Sequence, residues 1–210
     1  MRFIDEAQVE ACRRMDLLYD ETTAAVCTHT LVDGTQVYPL DSRITKLERV
    51  SYKGIDLPKM RESEYSGTTW RTDSDEPTSY YVRQRSIYLH PTPDADADTE
   101  SMSLAVYRMP LAKIEDEDAD IEIPVEFHMP LVYWALYRVY NLRDEDLQDP
   151  TKAGFYLSKF VDVFGEEVPA DVRIHQFESP QMQTLRPKAG YQYTNSELSD
   201  PDFDNTGWDG

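Results

Sequence analysis

The chain has 210 residues, of which 40% are apolar and 11% aromatic, with 14 Tyr among them. That is enough apolar material for a real core and excludes a chain disordered throughout. Forty carboxylates against 21 basic residues give a net charge of −19, which repels phosphate backbones at long range and argues against a DNA- or RNA-binding module.

The same charge fits plain solubility, and it also fits a surface along which DNA slides without adhering. No stretch approaches the length of a membrane span, and the N-terminus, MRFIDEAQVEACRRMD, has acids where a secretory signal would place its apolar run. The expectation is a soluble, cytoplasmic product, with no membrane partner. Cys12 and Cys27 then read as reduced thiols, one on a helix and one in a strand.

In chain order, residues 5–20 predict a first helix with Asp5 capping its first amides. Val26, Thr28, Thr30 and Val32 alternate at period two before Asp33-Gly34 and Thr35–Tyr38, the pattern of a hairpin. Ile44, Leu47 and Val50 recur at a spacing of three, which suits a helix as well as a strand. Lys53-Gly54 and the run Ile55–Pro58 favour a turn and a return strand. Residues 59–79 read as a long polar loop around Trp70. Tyr80–His90 and Met102–Met109 are the two clearest strands, expected to pair through an exposed tip, PTPDADADTES.

An acid-rich linker, KIEDEDADIEI, ends at Pro124. Phe127, Leu131, Trp134, Ala135, Tyr137 or Arg138, and Val139 then trace a wide apolar helical face. Pro130 requires that helix to start near Met129 or to kink. Asp149-Pro150 is a cap followed by Pro at the first helical position, and Gly165 is a stop. Ala153, Tyr156, Leu157, Phe160 and Phe164 form the buried stripe of this second helix. The short link predicts an antiparallel helix pair, and Pro169 permits a further turn or two through Phe177. From Glu178 onward no period is sustained, yet Leu185, Tyr191, Tyr193, Phe203 and Trp208 remain, which suits a segment that docks on a partner.

Together these elements predict an α+β fold. It has an antiparallel sheet or sandwich, an N-terminal helix, a C-terminal antiparallel helix pair and an extended tail. The division is a domain over 1–177 and a docking tail over 178–210.

The sequence offers little chemistry. It contains no GxGxxG, GxxxxGK[ST], GxSxG or HExxH. His29, His90, His128 and His175 lie far apart without a ligand neighbour at helical or hairpin spacing. Asp94, Asp96 and Asp98 resemble the start of a calcium loop, but Thr99 stands at its sixth position and Ala105 at its twelfth. Glu115–Asp120 reads as a solvated linker. No catalytic, cofactor-binding or metal-binding residue is assigned, and no cofactor is expected.

The order of elements is distinctive. A short helix leads into "DGTQVYPLD", then "ITKLERVSYKGIDL", "YYVRQRSIYLHPTPD" and "SLAVYRMP". The domain closes with "IPVEFHMPLVYWALYRVYNLRDEDLQDPTKAGFYLSKFVDVF". Across about residues 3–165 this resembles the adaptor proteins of tailed bacteriophages, which connect the capsid to the tail beneath the portal. The resemblance implies a non-enzymatic virion protein at the head–tail junction. It implies a portal partner, tail or nozzle partners, and a homo-oligomeric ring of about twelve copies with heterologous contacts, through whose lumen DNA passes without specific binding.

On that view Leu185, Tyr191, Tyr193, Phe203 and Trp208 dock on the portal. A different reading is a β-rich binding module of a tail or baseplate, recognising a partner or a carbohydrate. It requires aromatics such as Trp70, Tyr80 and Tyr88 gathered on one exposed face. A hydrolase would instead show a deep cleft with two carboxylates of perturbed pKa.

Overall fold

The computed structural model describes residues 2–65, 73–116, 119–142 and 148–178, all within the compact unit Met1–Pro180. Of the tail expected over 178–210, Glu178 instead ends the last helix, and residues 179–210 lie outside the described residues, as does Trp70.

Helix α1 spans Arg2–Arg14 and buries Ala7, Ala11 and Cys12, small side chains that allow close helix packing. It begins earlier than the sequence pattern suggests and ends six residues sooner. Asp5 does not cap it, because its Oδ1 accepts from the Ile114 amide at 3.1 Å. The run Leu18–Asp20 forms strand β1 instead of a last helical turn. Leu17 and Leu18 pack against the helical core. The ladder to the strand at 101–108 decides in favour of extension.

Asp20 Oδ1 accepts from the Thr22 and Thr23 amides at 2.9 and 3.0 Å. This Asx turn leads into the short helix α2, Ala24–Cys27, and strand β2, Thr28–Thr30. Cys27 thus closes a helical turn and is not in a strand.

The Asp33-Gly34 hairpin does not form. Gly34 has φ +71° and the Thr35 amide bonds the Val32 carbonyl at 3.0 Å, so a turn is present. Its two flanks nevertheless join different sheets. Leu31 exchanges backbone bonds with Thr99 and Glu100, and Gly34 N donates to Pro93 O at 2.9 Å. The 93–100 loop thereby occupies groups that a hairpin would have paired. Strand β3, Val37–Pro39, continues into the second sheet.

Strand β4, Ile44–Tyr52, turns through Lys53 (φ +48°) and Gly54 (φ +77°) into β5, Ile55–Asp56, as the sequence suggests. The spacing of three has a physical origin. Register shifts at Thr45 and Glu48 each insert an extra residue, so Ile44, Leu47 and Val50 all face inward.

The expected single strand Tyr80–His90 is a hairpin: β6 spans Ser79–Arg83 and β7 spans Ser86–His90. Gln84 and Arg85 form its turn, both at positive φ, without the Gly or Asn that such a turn usually shows. Strand β8, Ser101–Arg108, accordingly pairs with β4, β1 and β2 and not with the Tyr80–His90 segment.

The result is one antiparallel sheet in the order β1-β8-β4-β5, with β2 also on β8, and another in the order β3-β7-β6. They share a core that includes Leu31, Ile44, Val50, Ile87, Leu89, Met102 and Val106. Cross-strand partners Tyr80 with Leu89 and Val82 with Ile87 face that core. Tyr81 and Tyr88 stack on the opposite face, 4.6 Å apart.

Helix α3, His128–Tyr140, starts where Pro130 falls in its first turn, where no intrahelical donor is needed. Helix α4, Pro150–Phe164, is capped by Asp149, whose Oδ1 accepts from the Thr151 and Lys152 amides at 3.1 and 3.0 Å. Gly165 ends it at φ +82°. Ring pairs Phe127–Phe164, Trp134–Phe160 and Tyr140–Tyr156 run in opposite senses along the two helices, so the pair is antiparallel, as expected. A second core joins Ala7, Ala11 and Cys12 of α1 to Ile123, Leu131, Phe160 and Phe164. Helix α5, Ala170–Glu178, returns to the sandwich and buries Phe177 in the first core.

Candidate assembly surfaces

The residues scanned for chemistry are occupied structurally. His29 packs on Tyr38, and burial holds its pKa below the usual value. His90 meets Tyr65 edge-on at 4.9 Å, and His128 Nε2 donates to the Ile123 carbonyl at 2.8 Å. The His175 side chain is outside the described residues.

Asp94 Oδ1 accepts from the Asp96 and Ala97 amides at 3.0 and 3.2 Å, and Asp98 Oδ1 accepts from the Asp33 amide at 3.1 Å. The aspartates of the calcium-like run are therefore turn formers. Among the described residues no His, Cys, Asp or Glu group is arranged to hold a metal ion. Nor is any described helix long and apolar enough to cross a membrane. Tyr80, one of the aromatics a carbohydrate-binding face would need, is a core residue.

The strongest electrostatic feature joins the two cores. Arg108 Nε donates to Asp20 Oδ2 at 2.6 Å, and its Nη1 donates to Glu122 Oε2 at 2.7 Å. The other oxygen of Glu122 accepts from the Leu111 and Ala112 amides at 2.6 and 2.9 Å. Burial alone would raise the Asp20 pKa, but hydrogen bonds from Thr23 and Arg108 hold it well below the carboxylate range. Glu122 is likewise raised by burial and lowered, on balance, by the Ala112 amide and Arg108. Both carboxylates stay ionised and lock β1, β8 and the acidic linker together.

Helix α5 is held by a second group of contacts. Lys59 Nζ donates to the Phe177 carbonyl at 2.6 Å, and the Arg85 guanidinium lies 4.8 Å from the Phe177 ring. Glu178 Oε1 accepts from the Gln84 amide at 3.4 Å. The last described residues are thus fixed on the sandwich. Leu185, Tyr191, Tyr193, Phe203 and Trp208 all lie outside the described residues.

The helical layer presents apolar surface. Val125 is 78% exposed, Met129 76% and Val132 38%, and Leu136 and Val139 continue the row half-buried. Their spacing is four, three, four and three, the rhythm of a helix–helix seam. On α4, Phe155 is 57% exposed between Lys152 and Lys159. The inward face of α3 was legible in its periodicity. The sequence pattern assigns Val139 to the inward face, whereas in the structure it continues the outward row; α3 carries only His128 and Arg138 as residues that can be charged near neutral pH, the composition of a helix apolar nearly all round.

A family model for SU10 adaptor protein matches residues 1–183, which takes in the whole described body. No curated protein matches the chain. With that match spanning helix, sandwich and helical pair in a single run, the chain belongs to the SU10 adaptor protein family, a family of phage head–tail adaptors.

Proposed function

We propose that this chain is the subunit of a ring beneath the portal that joins capsid to tail and lets DNA pass. The observation that carries the reading is the adaptor-family match over residues 1–183. It covers the folded body and stops near the point where α5 hands over to the tail. The body is built for rigidity: two sheets, a helical layer, and the Asp20–Arg108–Glu122 clasp between them.

Residues 179–210 reach along the portal in this reading, with Leu185, Tyr191, Tyr193, Phe203 and Trp208 as apolar anchors. Such a segment orders on binding and gains affinity from a few aromatic contacts. The net charge of −19 suits a channel wall, because carboxylates facing the axis repel DNA phosphates and keep the duplex from adhering. The partners are the portal above, tail or nozzle proteins below, and neighbouring copies in a ring of about twelve. The place of action is the head–tail junction of the virion.

Gold labelling of a C-terminal tag on intact particles tests the reading by electron microscopy. The expected result is label confined to the head–tail junction. Label on fibres or the distal tail would replace the adaptor with a β-rich binding module. Removing residues 179–210, which spares Phe177 and Glu178, should leave a folded body that no longer joins heads to tails. Unimpaired joining would refute tail docking while leaving the location intact.

A further inference from the structure

Helix α3 meets α1 and α4 on two sides, yet among the described residues nothing packs as a helix on its third, apolar side. Neither Met129, Val132, Leu136 nor Val139 packs against the second core. A row of such length at coiled-coil spacing is the mark of a helix that receives another helix.

The charges indicate which one. The open row begins next to an exposed carboxylate, Glu126, which follows Val125 in the chain. The outer face of α4 is the complement: Lys152, Phe155, Lys159 and Val163 follow each other at spacings of three, four and four. Lys159 Nζ sits 5.7 Å from the Phe155 ring centroid. The same two lysines pair with Asp149 and Asp162 at 3.2 and 3.8 Å, but at the surface, where such contacts contribute little and exchange readily. In a chain of net charge −19, two copies approach most favourably when a basic apolar strip meets an acid-edged one.

One chain cannot make this contact with itself. The Phe127–Phe164 and Tyr140–Tyr156 ring pairs place Met129 at one end of the helical pair and Phe155 at the other. At 1.5 Å per residue the two are separated by about 18 Å along the axis.

We propose that α4 of one copy lies antiparallel along the N-terminal half of the open row of α3 in the next copy. Phe155 seats between Met129 and Val132, and Lys159 faces Glu126. Two different surfaces of one chain meet, so the contact is heterologous and repeats around a closed ring. The proposal rests on the ring-forming adaptor reading and assigns its subunit interface.

The test places the photoreactive amino acid p-benzoylphenylalanine at position 155 of the full chain, incorporated into phage particles and irradiated. The expected product runs at twice the chain mass, with the new bond mapped to residues 125–132 of a second copy. A Glu126→Lys variant should lower the yield of that product, and adding Lys159→Glu should restore it. Crosslinking to another virion protein or to residues 179–210 overturns the interface, as does the absence of a dimer product from particles that contain the chain. Absence of the chain from particles would instead remove the adaptor reading, and the interface with it.

Discussion

Arg108 and Asp20 form a short ion pair, Nε to Oδ2 at 2.6 Å, in which Asp20 is almost fully withdrawn from solvent. The two residues are register neighbours in the β1–β8 ladder, where Leu18 opposes Arg108 and Asp20 opposes Val106. Because Arg108 also holds Glu122, its loss strands two partly buried carboxylates at once.

Arg108→Met should therefore destabilise the fold by about 3 kcal/mol, since breaking a buried pair leaves an uncompensated charge. Urea unfolding measures this. Replacing Asp20 by Asn in the same background should recover part of the loss. If the single variant unfolds within about 0.5 kcal/mol of the parent, the clasp is only a surface contact. The acid response follows from the same carboxylates. Asp20 and Glu122 titrate below their ordinary values when folded. Their stabilisation is complete above an unfolded pKa of about 4 and is lost as the pH falls from there through the folded values. The Arg108→Met variant should show a shallower loss of stability over that acid range.

The Gln84-Arg85 turn yields opposite predictions for adjacent residues. Gln84 sits at φ +48°, so Gln84→Gly should stabilise the protein by about 0.5–1 kcal/mol through relief of left-handed strain. Arg85 is also left-handed, at φ +59°. Its Nη2, however, donates to the carbonyls of Asp41, Ser42 and Ile44 at 3.1, 3.3 and 2.9 Å, and its guanidinium covers Phe177. Arg85→Gly should cost about 2 kcal/mol despite the easier backbone, because three carbonyls each lose a hydrogen bond, though Asp41 keeps another donor, the Ile44 amide. Thermal unfolding of both variants would separate the effects, and equal shifts of the same sign would count against this account.

That turn also shows where sequence reading stops. The α+β class, β4–β5, α3, α4 with its Asp149 cap, and the start of α5 are local features and were legible. Strand partnership was not. Asp33-Gly34 has the composition of a hairpin and joins two sheets, while Gln84-Arg85 lacks that composition and makes one. In both cases remote groups decide: the 93–100 loop binds the flanks of the first, and Arg85 reaches Asp41–Ile44 from the second. The bulges at Thr45 and Glu48 similarly need β8 as a template before their three-residue spacing makes sense. The aromatic tail is a matter of composition and lies outside the described residues, whereas the open row on α3 emerges only once α1 and α4 have claimed the other faces.

Cys12 and Cys27 should be chemically silent in the folded protein. Burial pushes their thiols up to about 12 and about 11, so almost no thiolate exists at neutral pH. Native protein should react with fewer than one equivalent of a thiol reagent over the time in which denatured protein consumes two. Rapid modification of the native chain would mean that α1 or α2 opens readily.

Lys59 carries the last prediction. Burial lowers its pKa to about 8, below its unfolded value of about 10.4. Between those values the unfolded chain binds more protons than the folded one, so stability rises with pH across that window. The neutral amine keeps N–H groups to donate to the Phe177 carbonyl, and the α5 contact survives deprotonation. The rise should reach the order of 2 kcal/mol, after discounting for solvent that reaches the partly exposed amine. Lys59→Met should abolish the alkaline rise, and at pH 7 it should cost less than Phe177→Ala, which empties a core position and should cost about 3–4 kcal/mol. Chemical denaturation of the three proteins from pH 7 to pH 10.5 measures all of this. A flat profile for the parent protein would show that Lys59 is solvated and that α5 rests on Phe177 and Arg85 alone.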